Sequence, residues 1–423
     1  MIWFVLVPLF LGCNLIFWGI IGAVKFFSED VRRFPVVKRL IRRGNRRAII
    51  RKYHVAAIVP AHNEERVIEK TILSLLLELP KRNIHVISDG STDRTALIAR
   101  SFGVNVVEFS PANGKAGALE KGIAHFNLLE KFRLLLFVDA DTVLSKGYVN
   151  AALPYFRDPN IAALAGYART LWDEGRMPSL GKFFVAYRER VYFLSQTFIK
   201  FGQTWSHLNV AYIIPGFASI YRSAVLPRIT LNPKGLVIED FNMTFEVHRK
   251  HLGKIAFNSR VSAYTQDPDN FSDYWKQVKR WDLGFWQTVR LHGFFPGTFS
   301  LALGFYIFEV ILSSIIVLAL LPLLLFGSLP LLAPDWALEW GAFSTLYWKS
   351  LLYVDYTTVI IAVFLTDYAL TLVAAIAQGR PSFLIYGIGF LFMRVVDAFL
   401  LLSTLPRAFL LSSKGIWTSP KRR

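Results

Sequence analysis

Apolar and polar positions divide this chain into three stretches of different character. Residues Ile2 to Val24 are apolar apart from Asn14, about the 20 residues a helix needs to cross a hydrocarbon core. A cleaved signal peptide would carry its positive charges ahead of the apolar stretch and small residues after it. Here a basic run follows instead, so residues 1–27 read as an uncleaved transmembrane helix with its N-terminus outside. Residues 28–53 then read as a basic cytoplasmic linker. From His54 to about Asn270 short apolar or β-branched runs alternate with amphipathic stretches and Gly/Asn/Asp turns, the pattern of an α/β domain. Strands are predicted at Val55–Pro60, Asn83–Ser88, Val104–Phe109 and Arg133–Asp139, with helices of period near 3.6 at Glu65–Leu79 and Thr92–Phe102. Residues 271–298 read as an amphipathic interfacial segment. Apolar character returns in three blocks within 299–411, namely Phe299–Leu325, Leu346–Ala377 and Ser382–Leu411. The first two fit membrane spans. The third carries Arg394, Asp397, Pro406 and Arg407, and because ionisable groups are costly in lipid it is expected at a protein interior or partly in the membrane plane.

Charge refines this picture. The chain has 48 Lys and Arg against 30 Asp and Glu, a net charge of +18, and 53% hydrophobic residues, more apolar than the roughly 45–50% of soluble domains. The cations cluster beside the apolar spans: Arg32, Arg33, Lys38, Arg39, Arg42, Arg43, Arg46, Arg47, Arg51 and Lys52 follow the first, and Lys414, Lys421, Arg422 and Arg423 crowd the tail at 412–423. That is positive-inside bias. It points to a lipid bilayer as partner and excludes nucleic acid, for which cations would line one face of a recognisable fold. The loop between the first two blocks holds Asp335 and Glu339 without Lys or Arg, which places it outside. Cys13, the only cysteine, lies in the first apolar segment, so neither an intramolecular disulfide nor a cysteine-based zinc site is available.

Candidate chemistry sits where predicted strands end, and in open α/β sheets ligands bind beyond the C-terminal strand ends. Asp139-Ala140-Asp141 follows the run LLLFV. Two carboxylates so spaced can share a hard cation such as Mg²⁺ or Mn²⁺ with substrate phosphates, or form a solvated turn. Asp89 opens Asp89-Gly90-Ser91-Thr92-Asp93, where Ser91 or Thr92 can cap the next helix. Asp89 itself can accept hydrogen bonds from a base edge or a ribose, or simply make a turn. Pro60-Ala61-His62-Asn63-Glu64-Glu65 also fits a helix start with acids in the first turn. Lys115, in Asn113-Gly114-Lys115, offers a cation to a phosphate. Glu239-Asp240 can supply a base for a sugar hydroxyl or an N-cap. Gln277, Arg280 and Trp281 fall at i, i+3 and i+4 and share a helix face. A guanidinium there can pair with diphosphate and a Trp face can carry a pyranose, or both residues can sit at headgroup level.

The order of five motifs, PAHNEE at Pro60, SDGSTD at Ser88, DAD at Asp139, ED at Glu239 and QVKRW at Gln277, resembles the membrane-bound family 2 glycosyltransferases of GT-A fold, the group of cellulose, chitin, hyaluronan and poly-N-acetylglucosamine synthases. The resemblance covers about residues 55–285 and implies a Rossmann-like GT-A domain over 54–270 beside transmembrane and interfacial helices. It implies that Asp89 contacts the uracil, that Lys115 and the segment with Pro60, His62 and Glu64 line the nucleotide site, and that Asp141 reaches Mn²⁺ or Mg²⁺ on the diphosphate, with Asp139 and Ala140 beside it. Asp240 would be the general base, while Gln277, Arg280 and Trp281 would hold the diphosphate and the acceptor sugar. Gly216-Phe217-Ala218 and Glu239 match the acceptor side, and Trp417 to Arg423 loosely match a Trp-x-x-Arg element. Ser88, Ile238 and His62 depart from the common pattern without removing a residue assigned to chemistry.

The expected reaction is an inverting displacement in which a UDP-sugar, UDP-GlcNAc or UDP-glucose, is donor and the end of a growing β-linked glycan is acceptor, with export through the membrane part. The nearest rival transfers one sugar to a lipid acceptor. Asp355, Asp367, Arg394 and Asp397 within the apolar blocks also allow a transporter or channel, a reading that leaves the α/β domain without a role. A non-catalytic membrane scaffold would release no UDP from any donor.

Overall fold

The computed structural model describes residues 11–30, 50–173, 175, 177–351 and 355–410. The start of the first apolar segment, linker residues 31–49 and the tail with Trp417 and Arg423 lie outside the described residues. Helix α1 spans Cys13–Lys25. The α/β domain follows as β1 (Val55–Ala61), α2 (Ile68–Glu78), β2 (Ile84–Asp89), α3 (Thr95–Ser101), β3 (Asn105–Phe109), α4 (Gly114–His125), β4 (Leu134–Val138), the short β5 (Val143–Leu144) and β6 (Ile161–Thr170). Then come α5 (Ser179–Leu194), β7 (Ala218–Arg222), α6 (Glu239–Arg249), β8 (Lys254–Thr265) and α7 (Phe271–His292).

One sheet joins the strands in the order β3-β2-β1-β4-β7-β6-β8-β5. Strands β1, β2 and β4 are buried along their whole length, which is why β1 and β4 read as unbroken apolar runs and not as alternating ones. The two-residue period of β1 still sorts its side chains: Val55, Ala57 and Val59 pack with Ile68, Ile72 and Leu75 of α2 on one face. Ala56 and Ile58 pack with Ala118, Leu119 and Ile123 of α4 on the other. Strands β3, β2, β1 and β4 are mutually parallel, whereas β7 is inserted antiparallel between β4 and β6. Strand β8 runs parallel to β6. The C-terminal ends of β1, β2, β4, β6 and β8 therefore share a rim with the start of β7.

Helix α2 begins at Ile68, three residues later than the acids of PAHNEE predict. The backbone there turns at Asn63 with φ of 56°, and its N–H groups are used elsewhere, Glu64 N donating to Thr95 Oγ1 at 2.8 Å and Glu65 N to Asp93 Oδ2 at 3.0 Å. Likewise Asp93, and not Ser91 or Thr92, accepts from the first N–H of α3, at Thr95.

The apolar blocks form α8 (Thr298–Leu332), α9 (Tyr356–Gln378) and α10 (Phe390–Leu410), the last preceded by the short helix Ser382–Tyr386. Three stretches, 298–330, 361–378 and 382–410, are long and apolar enough to cross a membrane. The ionisable groups that set the third block apart face inward. Arg190 of α5 pairs with both oxygens of Asp367 at 2.8 and 2.6 Å, and Arg394 reaches Oδ1 of the same carboxylate at 3.1 Å. Asp397 accepts from Tyr187 at 2.8 Å and from Tyr274 at 2.6 Å. Asp355 caps α9 by accepting from Thr358 N at 3.2 Å. Each of the four residues that raised a transport pathway thus has a structural partner, and two of the four tie α5 and α7 onto α9 and α10. Helix α1 docks in the same way, Asn14 donating twice to Glu309 Oε2 of α8 at 2.7 and 2.6 Å.

Candidate active site

The rim holds one cavity of about 1170 Å³, and the predicted motifs meet in it. From the ends of β1 and β2 come Pro60, His62, Glu64 and Asp89, and from the end of β4 come Asp139, Ala140 and Asp141. Lys115 enters from the first turn of α4, Glu239 and Asp240 from the first turn of α6, and Gln277, Arg280 and Trp281 from one face of α7. Gly216 and Phe217 line the cavity because antiparallel β7 starts at the rim, where Asp139 N donates to Phe217 O at 3.0 Å. Ala218 corrects the expectation for its loop. It is the first residue of β7, paired with Val138 and fully buried, so its methyl belongs to the core and does not reach an acceptor.

On the nucleotide side the loops brace each other. His62 Nδ1 lies 2.6 Å from Asp89 O, and both Asp89 oxygens accept from Asn113 N, at 2.8 and 2.9 Å. Gly90 permits this closeness: its φ is +65° and a Cβ there would meet the backbone N of Ala112 at 2.9 Å. The Asp139-Ala140-Asp141 turn is pinned from α2, where Thr71 Oγ1 donates to Ala140 O at 2.7 Å.

Charge concentrates around Lys115, whose Nζ is 2.7 Å from Asp139 Oδ1 and 2.9 Å from Glu239 Oε1. Burial opposes its charge, but the two carboxylates outweigh burial and hold the ammonium above its ordinary range. Burial raises Asp139, Lys115 lowers it, and neighbouring Asp141 adds to the rise. Asp240 is pushed up to about 6 by burial and by Glu239, against the pull of Lys115. Its carboxylate accepts from Gly216 N at 3.2 Å and Phe241 N at 2.7 Å. Asp240 thus lies inside the first turn of α6 and is not its N-cap, a position held by Ile238, and its side chain lines the cavity.

A carboxylate pair, Asp141 buried and Asp139 half-buried, that offers only oxygen donors fits a hard divalent cation. Among the described residues no group of three His, Cys, Asp or Glu side chains is placed to hold a metal alone. An ion on Asp139 and Asp141 would take its other oxygens from diphosphate and water, as Mg²⁺ commonly does.

Helix α7 is held by partners that local sequence did not reveal. Arg188 of α5 is buried with its guanidinium 4.6 Å from the rings of both Tyr274 and Trp281, and Nη2 donates to Gln277 Oε1 at 2.9 Å. Its Nε lies 3.7 Å from Asp267 Oδ1, which also accepts from Tyr192 at 2.9 Å. Burial pushes Asp267 up to about 7 against the pull of Arg188, and Asp141 adds to the rise. Ile238, one of the departures from the common motif pattern, packs against Gly284 of α7, and Val237 N donates to Gln287 Oε1 at 3.1 Å. The segment carrying Glu239 and Asp240 is thereby set against the helix carrying Arg280 and Trp281. Arg188→Met leaves Asp267 buried without its counter-ion and is expected to cost about 3–5 kcal/mol, read as a lower unfolding midpoint in detergent. Adding Asp267→Asn should restore much of the loss. A midpoint equal to wild type in Arg188→Met would remove this pair from the account.

A sheet with helices on both faces and acids from several strand ends gathered over one cavity is the architecture of a GT-A type glycosyltransferase. Residues 56–226 match the family model "Glycosyl transferase family 2". The chain is 25% identical over 320 residues to the poly-beta-1,6-N-acetyl-D-glucosamine synthase of Staphylococcus epidermidis, covering 72% of this chain and 70% of that one. It is 27% identical over 243 residues to the probable glycosyltransferase YdaM of Bacillus subtilis, 54% of each chain. Among solved structures it is similar to the mannosyltransferase PcManGT from Pyrobaculum calidifontis in complex with GDP-Man and Mn²⁺, at 16% identity and a TM-score of 0.48, over 90% of this chain and 99% of that one. The protein is a glycosyltransferase, and residues 56–226 are the part that matches family 2.

Proposed function

We propose that this enzyme transfers a sugar, N-acetylglucosamine first and glucose second, from its UDP donor to the end of a growing β-linked polysaccharide. It works from the cytoplasmic face of a membrane that its chain crosses several times and through which the product is exported. The convergence of Asp89, Asp141, Asp240 and Trp281 on one cavity carries this reading. The relatives named for poly-N-acetylglucosamine synthesis support the sugar, the three apolar helices support the membrane, and the basic run before His54 supports the cytoplasmic side.

In this mechanism Asp89 and the His62 loop receive the uridine. Asp139 and Asp141 would hold Mn²⁺ or Mg²⁺, which when bound offsets charge on the departing diphosphate. Arg280 faces the same diphosphate, and Lys115, poised between Asp139 and Glu239, is close enough to follow the charge as it develops. Trp281, steadied from behind by Arg188, offers its ring to the acceptor sugar. Asp240 takes the proton from the acceptor hydroxyl as that oxygen attacks the anomeric carbon in line with the leaving UDP, inverting its configuration.

The test is UDP release by the detergent-solubilised protein with Mn²⁺ or Mg²⁺ and a panel of UDP-sugars, followed by gel analysis of labelled product. UDP-GlcNAc should give the highest rate and high-mass material. One extractable glycolipid species would establish the lipid-acceptor alternative, and no UDP release with any donor would sink the proposal.

A further inference from the structure

Part of the cavity wall is built by the π-helical turn Ser195–Lys200, which continues α5. Such turns are uncommon and gather at functional sites. Two residues of this turn behave differently. Gln196 is committed to the fold, accepting from Ala168 N at 2.7 Å and donating to Ala168 O and Tyr192 O at 3.0 Å each. Lys200 is not. It lines the cavity at 9% exposure, with its Nζ 5.7 Å from the centre of the Phe257 ring. Among the described residues no carboxylate or carbonyl lies within ion-pair or hydrogen-bond distance of that Nζ. The carboxylate whose field reaches it is that of Asp240.

A buried ammonium without a protein partner is unfavourable for folding. Its three N–H donors and lack of any acceptor select an oxygen-bearing ligand. The charged groups of the nucleotide loops already have partners, Asp89 accepting from Asn113 and Asp139 pairing with Lys115. Lys200 lines the same cavity as Asp240, whose field reaches it, and a base at Asp240 requires the acceptor to place its hydroxyl there.

We propose that Lys200 is an acceptor-binding residue, donating to a hydroxyl or acetamido oxygen of the terminal acceptor sugar and holding its attacking hydroxyl against Asp240. The assignment rests on the reading of Asp240 as base and of the acceptor as a glycan. Burial pushes the Lys200 ammonium down to about 8, with Asp240 acting in the opposite sense. The side chain is therefore still mostly charged near neutrality and best served by a ligand that completes its hydrogen bonds.

The test uses full-length protein in detergent, the UDP-sugar it turns over, and β-1,6-linked N-acetylglucosamine oligomers as acceptor probe. Lys200→Met should raise the acceptor KM on the order of tenfold or more, the size of a lost charge-assisted hydrogen bond, while the donor KM stays at the wild-type value. Lys200→Arg keeps the charge and should fall between the two, which also gives a measurement if the Met variant does not fold. An acceptor KM unchanged in both variants, or a donor KM that rises in step, overturns the assignment. Asp240→Asn is run alongside: wild-type turnover in it removes the base reading, whatever the Lys200 variants do.

Discussion

Asp240→Asn is expected to lower kcat roughly a hundred- to ten-thousand-fold, the range that a positioned general base contributes, while leaving protein that folds and binds UDP. The side chain sits in the first turn of α6 and accepts from two backbone N–H groups, Phe241 at 2.7 Å and Gly216 at 3.2 Å. Asparagine keeps the shape and gives up only the weaker of the two bonds. What it loses is the ability to take a proton. The wild-type enzyme should carry the signature of that base in its pH profile. Burial and Glu239 raise Asp240 to about 6 and Lys115 lowers it, so the competent, deprotonated form is depleted below that pH and dominates above it. Activity should rise as pH increases through about 6 and then level off. Any residual rate in Asp240→Asn should lack that limb. Wild-type kcat in the variant, or an unchanged acid limb, would remove Asp240 from the chemistry.

Asp141→Ala should reduce metal-dependent turnover by on the order of 10²–10³, the scale of losing one electrostatic contact to a developing charge. It should also abolish the gain in UDP affinity that Mn²⁺ confers, a readout by calorimetry that needs no catalysis. Lys115 engages Asp139 at 2.7 Å, so Asp139 already has a cation beside it. Asp141 has a different neighbour, the buried Asp267, whose carboxyl stands near 7 partly through the field of Asp141. Removing Asp141 takes one negative charge from this corner, so the fold should tolerate the change. Mn²⁺-dependent UDP binding that persists in Asp141→Ala would sink the assignment of this carboxylate to the ion.

Strands β1, β2, β3 and β4 were legible to within one or two residues, because each is a short apolar run closed by a polar cluster. Helix starts were less so. The acids of PAHNEE satisfy the rule for a helix N-terminus, yet their N–H groups bond across to Asp93 and Thr95, which lie 28 and 31 positions away. A local rule has no access to that competition. Ile238 and Gly284 show the same limit, since the departure at Ile238 acquires its reason only when α7 packs against it.

The order of the motifs along the chain, their places after apolar strands and the helical spacing of Gln277, Arg280 and Trp281 were determined by sequence alone. Strand alternation and helix period are backbone properties that act over a few residues. Tertiary structure decided that β7 would enter antiparallel beside β4 and bring Gly216 and Phe217 to the rim. It decided that Arg188 would stand behind Trp281, 93 positions away by sequence numbering, and that Lys200 would face the cavity. Such placements follow from which faces of whole elements bury against each other, and that choice is made by packing among distant segments.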